Sequence, residues 1–113
     1  SSLEQARMRA QDAAIKANIS RSRAELELFY LDSGSYNEKY NSTQCDVSTI
    51  QEFIDNINAQ GIESSTRDCK TSRNGSSYTF FTELYDTDDL FCADSSGFIG
   101  EISKVKKTGV SCS

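Results

Sequence analysis

Apolar residues keep helical spacing from Leu3 to Asp32, with neither Gly nor Pro to interrupt them. The pattern predicts one long helix over 3–32. Glu4 suits the positive end of its dipole. Asp32-Ser33-Gly34-Ser35 ends it, with Gly34 available for a left-handed cap. Some thirty residues span about 45 Å, more than a small domain needs. The helix carries two apolar faces. Met8, Ile15, Ile19, Leu26 and Tyr30 fall within roughly 60° of one another at 100° per residue. Leu3, Ala6, Ala10, Ala13, Ala17, Ala24, Leu28 and Leu31 fall on the opposite side. One face can pack on the rest of the chain. The other has no evident partner within it, and an alanine-rich face suggests close packing on helices of neighbouring subunits. The plainer reading is that alanine is a good helix former on a solvated surface.

Residues 33–46 read as a loop. Ser48-Thr49-Ile50-Gln51 has the form of a capping box, followed by a short helix with Ile50, Phe53, Ile54 and Ile57 on one face and Gly61 beyond its end. Residues 62–73 are polar, with a short strand expected near Cys69. Asn74-Gly75 signals a turn. The last third is β in character. Tyr78 to Leu84 is rich in aromatics and Thr, with Tyr78, Phe80, Thr82 and Leu84 on one face. Asp86-Thr87-Asp88-Asp89 is a turn, Leu90 to Asp94 a second strand, Ser95-Ser96-Gly97 a tight connection, and Phe98 to Val105 a third strand. Sequential strands with short turns make an antiparallel meander, and the long helix is its natural cover. The fold class expected is α+β: a long N-terminal helix on a three- to four-stranded antiparallel sheet, with a short second helix.

Composition narrows the chemistry. The chain has 113 residues, 12 Lys+Arg against 17 Asp+Glu, and a net charge of −5. It is sized as one domain, and its charge argues against a general nucleic-acid binder. It contains no His, which excludes a Ser-His-Asp triad, a Cys-His dyad and any His-ligated metal. Cys45, Cys69, Cys92 and Cys112 are separated by 23, 22 and 19 residues, so the paired spacing of structural zinc is missing. Widely spaced cysteines in a small chain rich in Ser (18) and Thr (8) read as two disulfides in an exported protein; four buried free thiols are the alternative. Four cysteines allow three pairings. Cys45–Cys69 and Cys92–Cys112 are favoured because they close short local loops, each worth about 3 kcal/mol. There is no run of about 20 apolar residues and no Met at the start. The chain reads as a processed or truncated fragment whose export or anchoring segment lay upstream.

Ala6-Arg7-Met8-Arg9-Ala10-Gln11-Asp12-Ala13-Ala14-Ile15-Lys16-Ala17-Asn18-Ile19 resembles the stem helix of bacterial type IV pilins just beyond their membrane-spanning part. Glu25 to Tyr36 resembles the junction at the end of that helix, with its aromatic pair and Asp-x-Gly-x-Tyr. Phe91-Cys92-Ala93-Asp94-Ser95-Ser96-Gly97-Phe98 resembles the last hairpin of many pilins, with Cys112 as the partner cysteine. The resemblance covers most of the chain and is weak over 46–76. It implies one structural domain: a stem helix over 1–32 and a head over 33–113, with a variable loop region at 33–77 and a β-meander at 78–105. It implies a structural subunit of an extracellular, cell-surface filament, anchored before assembly in the cytoplasmic membrane. The implied partners are other pilin subunits, the membrane-bound assembly machinery and a host or neighbouring cell surface. Adhesion, twitching motility or DNA uptake would be the purpose. A pseudopilin of type II secretion and a minor-pilin adhesin or DNA receptor are the alternatives. No cofactor and no enzymatic activity are expected. The residues expected to pack against neighbouring subunits are Leu3, Ala6, Ala10, Ala13, Ala17 and Ala24.

Asp86, Asp88 and Asp89, with Asp94 nearby, would supply oxygens for calcium, as some pseudopilins do in a C-terminal loop; an acidic solvated turn is the preferred reading, since no loop of EF-hand spacing is present. Lys104, Lys106 and Lys107 with Arg73 would form a basic patch for DNA; a charged edge strand that resists edge pairing is preferred. Asn18, Asn41 and Asn74 begin N-x-Ser/Thr triplets, which arise by chance in so Ser/Thr-rich a chain. Glu83 with Glu101 or Asp94 would be the carboxylates for acid–base work, but no pocket is evident around them.

Overall fold

The structure is a computed structural model that describes residues 2–59, 67–103 and 109–113. Helix α1 runs Ser2–Ser33 and helix α2 runs Ser48–Asn58. Strands β1 (Arg67–Thr71), β2 (Tyr78–Glu83), β3 (Leu90–Asp94) and β4 (Ile99–Ile102) form one sheet in the order β1-β2-β3-β4. Every neighbouring pair is antiparallel. The architecture is therefore α+β, a long N-terminal helix and a short second one on a four-stranded meander.

The molecule's long dimension, 48 Å, matches 32 helical residues at about 1.5 Å each. Helix α1 stops where Gly34 turns left-handed (φ +79°). Its N–H donates to the Tyr30 carbonyl at 2.7 Å, which closes the last turn as an αL cap.

One face of the sheet carries Tyr78, Phe80 and Ala93 against Ile15, Ile19 and Leu26 of α1, all buried in one core. Helix α2 adds Ile50 to the same core. The opposite face has its own small cluster of Phe81, Leu90, Cys92 and Cys112, with Ile102 packed against it. The C-terminal segment supplies this cover. Cys112 is bonded to Cys92, and its N–H donates to Asp94 Oδ2 at 2.8 Å. Both faces of β2 are buried in consequence.

Two local expectations are corrected. The capping box at Ser48 does not close. Helix α2 starts one residue earlier in its hydrogen bonding, with the Ile50 N–H donating to the Val47 carbonyl at 3.0 Å. The Ser48 N–H goes instead to Glu38 Oε1, and Gln51 reaches forward to Asp55 rather than back. Tyr30 is not in the core; it is 37% exposed and stacks on Tyr36 at the rim, with ring centroids 4.4 Å apart. The expected strand near Cys69 is β1. The strand expected over 98–105 is β4, four residues long. Gly61 lies outside the described residues, as does the segment 104–108.

The 33–46 loop is tied down. Asn37, 7% exposed, donates its Nδ2 to the carbonyls of Ser42, Ser72 and Arg73 at 3.2–3.3 Å. The Tyr36 N–H donates to the Gly75 carbonyl at 2.8 Å. Gly75 sits at φ +72°, and a Cβ there would lie 1.8 Å from Ser35 Oγ. The Asn-Gly turn thus serves the loop's docking as well as the β1–β2 connection.

Candidate interaction surface

Every side chain expected to meet a neighbouring subunit is on the surface. Leu3, Ala6, Ala10, Ala13, Ala17 and Ala24 are all exposed. Leu28 and Leu31 continue the same strip, and Leu3, Leu28 and Leu31 are 61%, 60% and 81% exposed. The strip lies about 180° round the helix from the buried positions Ile15, Ile19, Ser22 and Leu26. Exposed leucines at both ends of an alanine-lined helix face are an unpartnered apolar surface.

Charge frames this strip. Arg7 and Arg21 are exposed beside it, and Arg9 and Lys16 lie towards the head. Arg9 pairs with Asp86 at 3.4 Å and Lys16 with Glu101 at 3.7 Å. These contacts are largely solvent-exposed and contribute little to stability. They place the cationic flank of α1 beside the β2–β3 loop and β4.

The strongest polar link between stem and head is a carboxylate that the apolar pattern of α1 does not mark. Asp12 is 6% exposed on the packed side of α1. Its carboxylate accepts the N–H groups of Tyr85 at 2.6 Å and Asp86 at 2.9 Å. One side chain thereby fixes the β2–β3 loop to the helix through charge-assisted bonds. The signal was a lone carboxylate four residues after Met8 and three before Ile15, on the face otherwise made of apolar side chains. Further along, Asn18 Oδ1 accepts from Asn56 of α2 at 3.5 Å.

The four cysteines form the pairs Cys45–Cys69 (Cα–Cα 5.3 Å) and Cys92–Cys112 (6.0 Å). The first ties the loop before α2 to β1, next to the Gln44–Lys70 bridge. The second ties the C-terminal segment to β3.

Of the carboxylates singled out for chemistry, Asp94, Asp86 and Glu101 already have partners. Burial pushes the Asp94 carboxyl up, but bonds from the Ser96 hydroxyl and from the N–H groups of Cys112, Ser96 and Phe98 outweigh it and hold it below the usual value. Asp86 faces Arg9. Among the described residues, no three acidic or cysteine side chains converge as a metal site; Asp86, Asp88 and Asp89 line an exposed bend. Arg73 is exposed at the β1–β2 turn, and Lys104, Lys106 and Lys107 lie outside the described residues. An open hollow of about 310 Å³ is lined by Phe29, Asn37, Glu38, Tyr40 and Asn74 among others.

The tyrosines at the helix end are perturbed. Burial, then the hydrogen bond to Glu27, raises Tyr36 well above the ordinary phenol. Burial, then the nearby Glu27 carboxylate, does the same for Tyr78, whose ring meets Tyr36 edge-on at 4.9 Å.

No family model, curated protein or solved structure matches this chain. Its geometry therefore carries the functional reading. Among the described residues, no helix is long and apolar enough to cross a membrane.

Proposed function

We propose that the chain is the stem end and head of a type IV pilin, with a structural and non-enzymatic role as the repeating subunit of an extracellular filament. The observation that carries this reading is the exposed Leu/Ala strip running the length of a helix whose other side is buried in the head. Such a helix is built to be covered twice, once by its own sheet and once by neighbouring subunits. The disulfide-closed C-terminal hairpin and the tethered loop after the helix also agree with the pilin resemblance. In this reading the full-length protein is held in the cytoplasmic membrane by an apolar segment preceding Ser1, and the assembly machinery draws it into a fibre for adhesion, motility or DNA uptake.

The test is a pair of substitutions in the full-length protein, Ala10→Glu and Ala13→Glu. Each puts a charge where the neighbouring helix would sit, so fibres seen by electron microscopy should be lost. Both sites are exposed, so the 113-residue domain should melt within a few degrees of wild type. Normal fibres in either variant would refute the packing assignment.

A further inference from the structure

Of the six asparagines, Asn18, Asn37, Asn41, Asn56, Asn58 and Asn74, only Asn74 is followed by glycine. A glycine carries no Cβ, so its peptide nitrogen meets the least hindrance in approaching the side chain before it. Asn74 is exposed in the β1–β2 turn, and its amide does not hang free in solvent. Its Oδ1 accepts the Ser76 N–H at 3.1 Å, the Ser76 hydroxyl at 2.7 Å and the Ser72 hydroxyl at 2.9 Å. The bond to the N–H two residues on makes an Asx turn, which lays the side-chain amide along the Gly75 peptide. All three donors draw charge from the Cγ carbonyl. They sit where negative charge gathers on Oδ1 when a nucleophile adds to Cγ. The nucleophile at hand is the Gly75 nitrogen. At rest its N–H donates to the Ser72 carbonyl at 2.9 Å, so it is freed when this exposed turn opens.

We infer that Asn74 is a site of spontaneous covalent modification, with the Gly75 nitrogen as nucleophile and water as co-reactant. The nitrogen gives its proton to solvent base and bonds to Cγ. The Cγ–Nδ2 bond breaks, Nδ2 takes a proton from solvent, and ammonia leaves. Water then opens the five-membered imide at either carbonyl and releases a proton. The product is aspartate or isoaspartate at position 74, with no oxidation or reduction. Loss of ammonia is irreversible in dilute solution, so the change accumulates with the age of the chain.

The two products differ in what they do to the fold. Aspartate keeps the main chain and the three donors from Ser72 and Ser76. Isoaspartate adds a methylene to the main chain just before Gly75, in the segment that docks the loop after α1. The Gly75 carbonyl accepts the Tyr36 N–H at 2.8 Å, and the Arg73 carbonyl accepts the Asn41 N–H at 3.2 Å. Asn37 Nδ2 donates to the Ser72 and Arg73 carbonyls. Gly75 is buried against Ser35 with no room even for a Cβ. A longer main chain at this point pulls those acceptors out of place and loosens the loop. The inference uses only this turn and does not rest on the filament reading.

Peptide mapping of the folded 113-residue chain, aged in mildly alkaline buffer, tests the site, and amide exchange tests the consequence. Conversion at Asn74 is expected to outrun that at the exposed Asn41, which precedes Ser42, by at least about tenfold. In the purified isoaspartyl form, exchange at the Tyr36 and Asn41 amides should accelerate about tenfold. Asn74→Asp leaves the main chain unaltered and should match wild type at both amides. Asn74→Gln, whose longer side chain closes the ring poorly, should neither convert nor loosen with age. Conversion at Asn74 no faster than at Asn41 would overturn the inference. So would wild-type exchange at both amides in the isoaspartyl form, or equally fast exchange in Asn74→Asp.

Discussion

At the residue scale, the buried polar groups separate into those that are satisfied and those that are not. Asp12, Asn37 and Asp94 each accept or donate several hydrogen bonds inside the protein. Among the described residues, the hydroxyls of Tyr78, Thr79 and Thr82 are buried with no hydrogen-bond partner. An unpaired buried hydroxyl carries its desolvation cost without return. Tyr78→Phe keeps the ring that packs on Tyr36 and removes only that oxygen. It should leave stability unchanged or raise it by up to about 1 kcal/mol, read as the denaturant midpoint at constant m-value. A loss of more than about 1 kcal/mol would show that the hydroxyl has a partner in solution. None of this was legible in the sequence. Alternation marked Tyr78, Phe80, Thr82 and Leu84 as facing the helix, but it could not show that the other face of β2 is covered too.

At the element scale, α1 is the organising part, and most of it could be read directly. Its span, its Gly34 stop and its two apolar faces follow from spacing alone. Asp12 needed closer reading, because a charged residue on an apolar face is easily taken for a solvated one. Asp12→Ala should leave the half-buried N–H groups of Tyr85 and Asp86 without their acceptor and cost about 1–2 kcal/mol. Amide exchange at Tyr85 and Asp86 should accelerate beyond the global change. Unchanged exchange at those two amides would mean that the loop is held by something else. Helix α2 shows the opposite kind of error. Its existence and apolar face were evident, yet the capping signature at Ser48 was overruled by tertiary competition, since Glu38 from the preceding loop reaches the Ser48 N–H first.

At the scale of the whole molecule, burial and hydrogen bonding combine into a stability profile with two arms. The Asp94 carboxyl is held below its usual 3.8. It therefore contributes stability that is complete above about pH 4 and lost as pH falls through its folded value. Tyr36 and Tyr78 are raised above 10.0. Their contribution is complete below that pH and disappears as pH rises towards their folded values. Melting temperature against pH should be flat between these limits and fall outside them, and Asp94→Asn should flatten the acid arm. An unaltered acid arm in that variant would move the acid sensitivity to other carboxylates. The two disulfides brace this small head at its loop and at its C-terminal segment, where the sheet alone would leave chain ends loose. The central claim concerns neither arm but the outer side of α1. Hydroxyl-radical footprinting of Leu3, Leu28 and Leu31 in fibres sheared from cells, set against the isolated chain at a concentration too low to self-associate, measures it most directly. Strong protection of all three leucines in the fibre is predicted, with the exposed Tyr40 reacting equally in both. Equal reactivity of the leucines in the two states, or fibres that do not contain the chain, would contradict the account.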